Sequence, residues 1–558
     1  MRRLFNGPGS PLLPAVLLLI FATLALTSVA HKTHTADEPK HIVQGYAFVR
    51  TGDPRLNSHD PPLVNALSAL PLLMIDDGWP FPFTDENDAW RRADLVEVRR
   101  PLKPYITRPE ALILARMPIV GLGMILGALL YRWVAQVAGR TAATAALFLF
   151  AFSPNILAHS RLGTTDIGMA LGTFLTAYLV WRYARRLAPG SLLLVGLVLG
   201  LATMTKHLAL ALLLIAPVAA GLASYLGGPS RRWLRDSLAV LAAGIVGWLL
   251  ALIVFYGVHP QTVISLEPSY DRWVRSIKAL RALLGEGRVA DWVDDLLTYT
   301  PLPAAPYIRG ILVNVILNNA EGHMTYLHGK IGGQGWPEYF LVAMAVKTPL
   351  PSLLLWLGGL VHLAGCCVRG RPLPLGRAGL YSALAVWLWT TVAFIAIMTC
   401  SRLHIGLRHI LMVYPFVFAI GGISASILLR ARRLWGMILV ALLGLWYVMA
   451  NARIYPHYLE YFNELIGGPA NGYQWLVDAN LDWNQDKGYV ERYARERGIT
   501  LKRNPGCEPQ TGWIAVSAKH LVGMIDQDPD CYAWTRGHLV DRINYTWFIF
   551  HIPESGDG

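Results

Sequence analysis

The sequence predicts a polytopic α-helical membrane protein of about eleven transmembrane helices, with helix-bearing extracytoplasmic loops and a small C-terminal mixed α/β extracytoplasmic domain. Three observations lead there. Of the 558 residues, 54% are hydrophobic and only 15% charged, a balance foreign to soluble multidomain chains. Apolar runs long enough for the ~20 helical residues that cross a hydrocarbon core recur along the chain. Basic residues gather in alternate connections between those runs.

In order, the runs fall near 11–30, 111–131, 141–158, 167–184, 189–205, 207–225, 236–257, 338–364, 377–399, 409–428 and 433–450, with only Lys206 marking the division between 189 and 225. With a cytoplasmic amino terminus, the inner loops hold Arg2 and Arg3, Arg132 and Arg140, and Arg182, Arg185 and Arg186. The later inner loops hold Arg231, Arg232 and Arg235, then Arg369, Arg371 and Arg377, then Arg430, Arg432 and Arg433. The net charge of +13 therefore reads as membrane orientation and not as a nucleic-acid footprint, because the arginines build no single basic face with interleaved aromatics. The first run also fits a cleaved signal peptide, since "TSVA" offers small residues before His31. Its length and the charge alternation favour an anchor.

This topology defines a transmembrane domain over 1–450, with outside loops 31–110 and 258–337 and outside turns near 159–166 and 400–408, followed by an extracytoplasmic domain over 451–558. In that tail "YVERYARERG" has helical character, and "GWIAVSA" and "YTWFIFHI" have strand character. The five cysteines include no zinc-ligand or CxxC spacing. Cys507 and Cys531 lie on the oxidising side, where a disulfide is permitted.

Polar chemistry concentrates on the outer side. Asp37 and Glu38 precede Pro39, a residue favoured at the first helical position, and Ile42, Tyr46 and Val49 follow at helical spacing. Carboxylates at such a helix start are held ionised by the dipole, which suits a general base, a metal ligand or a simple cap. Asp166 stands likewise at the outer start of the fourth span. Lys347 lies roughly ten residues inside its span, where a lysine costs ~2.5–3.5 kcal/mol unless it is partnered, either by a lipid-linked phosphate or by a structural acid. Arg402, His404, Arg408 and His409 crowd an outer turn against the usual charge rule, which phosphate binding or contact with lipid headgroups would explain, and Lys206 with His207 forms a lesser pair of that kind. Glu321, His323, Tyr326 and His328 read as surface groups or substrate contacts, and His323 with Glu38 and Asp166 gives the candidate ligands for a divalent metal ion.

The ordered stretches "ADEPKHIVQGYAFVRTGDPRLN", "PPLVNALSALPLL", "FSPNILAHSRLGTTDIG", "GWPEYFLVAMAVKTPLP" and "RLHIGLRHILMVYPF" resemble the GT-C membrane glycosyltransferases of the protein mannosyltransferase and aminoarabinose transferase superfamily. The tail "YPHYLEYFNELIGGPANGYQWLVDANLDWNQDKGYVERY" resembles a bacterial branch, glycosyltransferase family 39 or phospholipid carrier-dependent glycosyltransferases, so the resemblance covers nearly the whole chain. It implies a bacterial inner-membrane enzyme that passes one sugar from a polyprenyl-phosphate carrier to a protein or glycolipid acceptor, usually with inversion. By resemblance Asp37 is the general base, Glu38 completes the acidic motif and Asp166 is the second carboxylate. Lys347, Arg402, His404 and Arg408, or a divalent ion, would then meet the charge on the leaving phosphate. The chain departs from the family pattern at Asp60, where a basic residue or histidine usually precedes the Pro-Pro pair, although His59 stands beside it. It departs again at Asn484, where "LDWGQD" is usual, and the nearby Asp482 and Asp486 read as acceptor contacts or, in the favoured reading, as caps of the following helix. The competing classes are a transporter and a non-catalytic binder of a lipid-linked sugar. A transporter would carry internal repeats and broken helices at the midplane, and neither is evident.

Overall fold

A computed structural model describes residues 12–186, 189–227, 232–257, 260–369, 379–431 and 434–554. Arg2, Arg3, Arg231, Arg371, Arg377, Arg432 and Arg433 of the expected inner loops lie outside the described residues. Among the described residues, each expected span is mainly helical, and the chain is a multi-pass membrane protein. Eight described helices are long and apolar enough to cross a membrane, and the pair Arg140–Ala151 and Pro154–Ser160, bent by 62°, makes a ninth if counted as one span. The bend falls where Ser153 caps a new helix whose first residue is Pro154.

The expectation of eleven spans exceeds this count at two segments. Asp166–Arg186 carries charges at both ends and Pro189–Thr203 has only 15 residues. Asp166–Arg186 is buried along most of its length by neighbouring helices, so it needs no lipid-compatible surface. The centre of the bundle is Leu407–Arg430, 94% of whose apolar window is buried. Elsewhere small residues let helices close on one another. Gly196 and Gly200 face Gly247 so tightly that a Cβ on Gly200 or Gly247 would overlap the opposite backbone. The run expected over 338–364 breaks at Thr348 and Pro349 into Tyr339–Lys347 and Leu350–Val368.

Two long connections leave the same end of the bundle. The first carries Glu38–Thr51, Pro62–Ala69 and Leu95–Ile106. The second carries the amphipathic helices Tyr270–Leu284 and Arg288–Tyr299 and a hairpin of β1 (Thr325–Leu327) and β2 (Lys330–Gly332). Beyond Leu434–Ile454 the chain returns over that end as a series of short 3-10 turns between 458 and 480. It finishes in a four-stranded sheet of β3 (Lys502–Arg503), β4 (Gly512–Ser517), β5 (Leu539–Ile543) and β6 (Trp547–Ile552), in the order β3-β4-β6-β5. Only the β3–β4 pair is parallel. The helix Lys487–Arg497 packs Val490 against Ala515, Ile543, Trp547 and Ile549 of this sheet. Cys507 and Cys531 form a disulfide that ties the loop before β4 to the segment before β5.

Candidate active site

At the end of the bundle where these connections meet, a cavity of about 800 Å³ is lined by Asp37, Lys40, His41, His59, Asp60, Lys206, His323 and Arg408, among others. The lining also includes apolar residues, among them Leu208, Leu210, Val315, Ile397 and Leu403. Local structure explains how the charged groups arrive. Lys206 is extended at the break between Pro189–Thr203 and His207–Ala211, which frees its side chain to reach across the site. Arg408 enters from the turn that follows Leu380–Cys400. Asp60 follows His59 in the loop whose Leu63 amide donates to the Met204 carbonyl at 3.2 Å.

Asp37 is the residue before helix Glu38–Thr51, yet its side chain makes no capping hydrogen bond. Arg408 Nη2 donates to Asp37 Oδ2 at 3.1 Å, and Lys40 Nζ lies 3.8 Å from Oδ1. Burial alone would raise the Asp37 pKa, but Lys40, Arg408 and His41 outweigh it and hold the carboxyl well below the usual carboxylate range. Asp166 accepts from Lys206 Nζ at 2.7 Å and lies 4.0 Å from Arg408 Nη1. Asp60 faces His41 at 3.6 Å and Lys40 at 3.9 Å. Burial opposes its ionisation, while His41, Lys40 and Lys206 favour it. Burial also lowers the pKa of His41, against the pull of Asp60 and Asp37. His59 is pushed down to about 3 by burial and by Lys40 and Arg309, so it is neutral near pH 7. Asp37, Asp60 and Asp166 thus balance Lys40, Lys206 and Arg408.

Of the expected site residues, Asp37, His59, Asp60, Lys206, His323 and Arg408 line the cavity, Asp166 joins it through Lys206, and the rest stand apart from the lining. Glu38 is fully buried and accepts two hydrogen bonds from Arg116 at 2.7 Å, one from the Thr35 amide at 2.8 Å and one from the Gly163 amide at 2.9 Å. Burial would raise its pKa, but Arg116 and the two amides hold the carboxylate charged. Lys347 donates to the Leu459 carbonyl at 2.8 Å and to that of Asn480, and its ammonium lies 4.4 Å from the centre of the Phe462 ring. It fastens the returning tail to the bundle. Arg402 donates to the Ala320 carbonyl at 2.8 Å. His404 stacks on Tyr339 and accepts from the Trp336 amide at 2.9 Å, and the Tyr326 hydroxyl donates to the Gln474 carbonyl at 3.2 Å. The candidate metal set does not assemble: both Glu38 oxygens are taken by Arg116 and amides, Asp166 is taken by Lys206, and His323 sits exposed on the cavity lining. These residues do not fit a divalent-ion site.

Asp486 also departs from expectation, since it makes no cap bond to the helix it precedes. Lys32 Nζ lies among Asp486, Glu460 and His457, at 2.5 Å from Asp486 Oδ1 and 2.7 Å from His457 Nδ1. Those three side chains have metal-ligand spacing, but the ammonium occupies their centre. The same contact brings residues 32–36 against the tail, where Thr33 N donates to Gln485 O at 3.1 Å and Ala36 N to Trp483 O at 2.9 Å. Burial raises the Asp486 pKa to about 7 despite Lys32, with Glu460 adding to the rise. A raised folded-state pKa gives stability that is complete below the ordinary carboxyl range and is lost as pH rises through about 7. Asp486→Asn is therefore expected to gain thermal stability relative to the wild type between about pH 5 and about pH 8.5. Thermal unfolding at the two pH values checks this, and an equal shift at both would contradict it.

The turn at Asn484 is preserved despite the missing glycine, because Asn484 adopts the left-handed φ of 72° that asparagine tolerates better than most residues. Residues that matter here and went unread include Lys40, His41, Asn480 and Trp483. Arg116 was legible in principle, as an arginine within the apolar run "ALILARMPIV".

Fold and cavity together describe a polytopic membrane protein with a charged pocket at one end of its helices. Residues 111–257 match the model of the dolichyl-phosphate-mannose-protein mannosyltransferase family, which bears out the membrane glycosyltransferase resemblance over that stretch. No curated protein matches the chain. Among solved structures, the chain is similar to the Archaeoglobus fulgidus oligosaccharyltransferase in its apo form, with 13% identity, 89% of this chain and 59% of that one covered, and a TM-score of 0.48. The chain therefore spans about three fifths of that protein's length. It is also similar to ArnT from Cupriavidus metallidurans bound to undecaprenyl phosphate, with 14% identity, 97% of both chains covered and a TM-score of 0.29.

Proposed function

We propose that this protein is a polyprenyl-phosphate-sugar-dependent glycosyltransferase, a hexosyl- or pentosyltransferase acting on a protein or glycolipid at the extracytoplasmic face. One observation carries the reading: a single cavity is lined both by apolar side chains, suited to a lipid chain, and by members of a network of three carboxylates and three cations. The family match over 111–257 supports it. Asp37 accepts the proton of the acceptor hydroxyl as that oxygen bonds to the anomeric carbon. The bond from that carbon to the phosphate oxygen breaks on the opposite face, inverting the centre, and the electron pair leaves with the lipid phosphate. Arg408 and Lys206 meet its charge in a site removed from bulk water.

The resting geometry adds a refinement. With Arg408 on Asp37 the carboxylate is ionised but weakly basic. A donor phosphate that draws Arg408 toward itself leaves Asp37 a stronger base at the moment of transfer. The acid limb of kcat is accordingly expected at higher pH than the acid limb of kcat/KM, since the first reports the donor complex and the second the free enzyme. The measurement uses membranes holding the full chain, a radiolabelled polyprenyl-phosphate sugar and a membrane acceptor fraction. Absence of label transfer above that of membranes lacking the protein would refute the function, and coincident limbs would refute the Arg408 shift.

A further inference from the structure

The guanidinium carbon of Arg408 lies over the ring of one residue of the returning tail. Its Cζ lies 4.2 Å from the centre of the Trp483 ring, and Trp483 is only 3% exposed. The same residue reaches the other partner of the site: the Trp483 carbonyl accepts from the Ala36 amide at 2.9 Å, one residue before Asp37. Trp483 is fixed in turn, because its amide donates to Gln485 Oε1 at 2.8 Å and Gln485 donates to Glu460 at 3.1 Å. With its carbon over the indole, the guanidinium donates from its edge on the other side of the contact. Nη2 meets Asp37, Nη1 lies 4.0 Å from Asp166, and Nε is buried with no hydrogen-bond partner.

The geometry points to Trp483 as a positioning residue that clamps both halves of the Asp37–Arg408 pair, its indole on the arginine and its carbonyl on the chain that carries the aspartate. This rests on the transferase reading above. It makes the carboxy-terminal segment part of the reactive centre and no mere appendage to the membrane domain. A planar cation stacked on an aromatic face keeps its donor edge turned toward the carboxylates and toward an arriving phosphate, whereas an aliphatic neighbour of equal bulk supplies packing without that attraction. Displacing such a donor weakens a contact used in the transition state more than one used in binding.

The test compares Trp483→Phe with Trp483→Leu in the full-length protein in membranes. Trp483→Leu is expected to lower kcat about 5- to 30-fold with the KM for donor little changed, and Trp483→Phe to retain most of the activity. Equal losses in the two variants, or a change confined to KM, would overturn the clamp. Should Trp483→Leu fail to fold, tryptophans with increasing numbers of ring fluorines, inserted at position 483 alone, keep the shape while draining the ring's negative face. kcat is expected to fall stepwise along that series, and a flat series overturns the proposal. One arm needs no turnover: the fluorine resonance of monofluorotryptophan at 483 is expected to move on Arg408→Met. If wild-type protein transfers no sugar while that resonance moves, the transferase reading fails and the contact stands; if transfer is normal and the resonance does not move, the clamp alone fails.

Discussion

Asp37→Asn is expected to lower sugar transfer about 10²- to 10⁴-fold, the range for loss of a positioned general base. The substitution preserves shape and removes proton acceptance. It also frees Arg408 and Lys40 from one carboxylate, since both contact Asp37 across the cavity. Donor affinity is therefore expected to hold or tighten while kcat collapses, which separates loss of chemistry from loss of binding. The measurement is label transfer alongside donor binding, after normal insertion of the variant is confirmed. Transfer at the wild-type rate would remove Asp37 from the base role. Because the side chain makes no capping bond to its helix, the substitution costs no hydrogen bond of that kind.

The largest stability effect is expected at Arg116. Its guanidinium meets both Glu38 oxygens at 2.7 Å and donates to the Lys32 and Thr33 carbonyls at 3.2 Å and 2.9 Å. Arg116→Met leaves a fully buried Glu38 without its counter-charge, a change worth about 3–5 kcal/mol in comparable buried pairs. Little folded protein is expected in the membrane fraction. The double variant Arg116→Met with Glu38→Leu removes both charges and is expected to recover much of it, because an apolar pair carries no desolvation cost. Detergent-resistant, correctly inserted protein measures the outcome. A double variant no better than the single would mean that the backbone carbonyls held by Arg116, and not the ion pair, set the fold there.

These two residues show how the site divides between what was legible and what was not. Asp37 and Glu38 are neighbours in sequence and read alike as acids at a helix start, but successive side chains leave a helix start about 100° apart. One therefore faces the cavity and the other a membrane arginine. Arg408 and Lys206 stand out as basic groups placed against the charge rule and Asp166 as an acid at a span's outer start, and the structure gathers all three. Lys347 stands out by its depth in a span, and its partners are carbonyls of the tail, which no rule based on opposite charge would find.

The sequence by itself determined that the chain crosses the membrane repeatedly, which segments are helical, and which end of the bundle collects its polar groups. Those properties follow from apolar length and from the sign of the loops, and both are local quantities. Only the tertiary structure decided which acids meet which cations. Lys32 meets Glu460 and Asp486, Arg408 meets Asp37 and Trp483, and Lys347 meets the 459–480 turns, each pair hundreds or tens of residues apart. Such contacts depend on how the returning tail packs over the helix ends, a matter of shape and burial that no periodicity in the chain encodes.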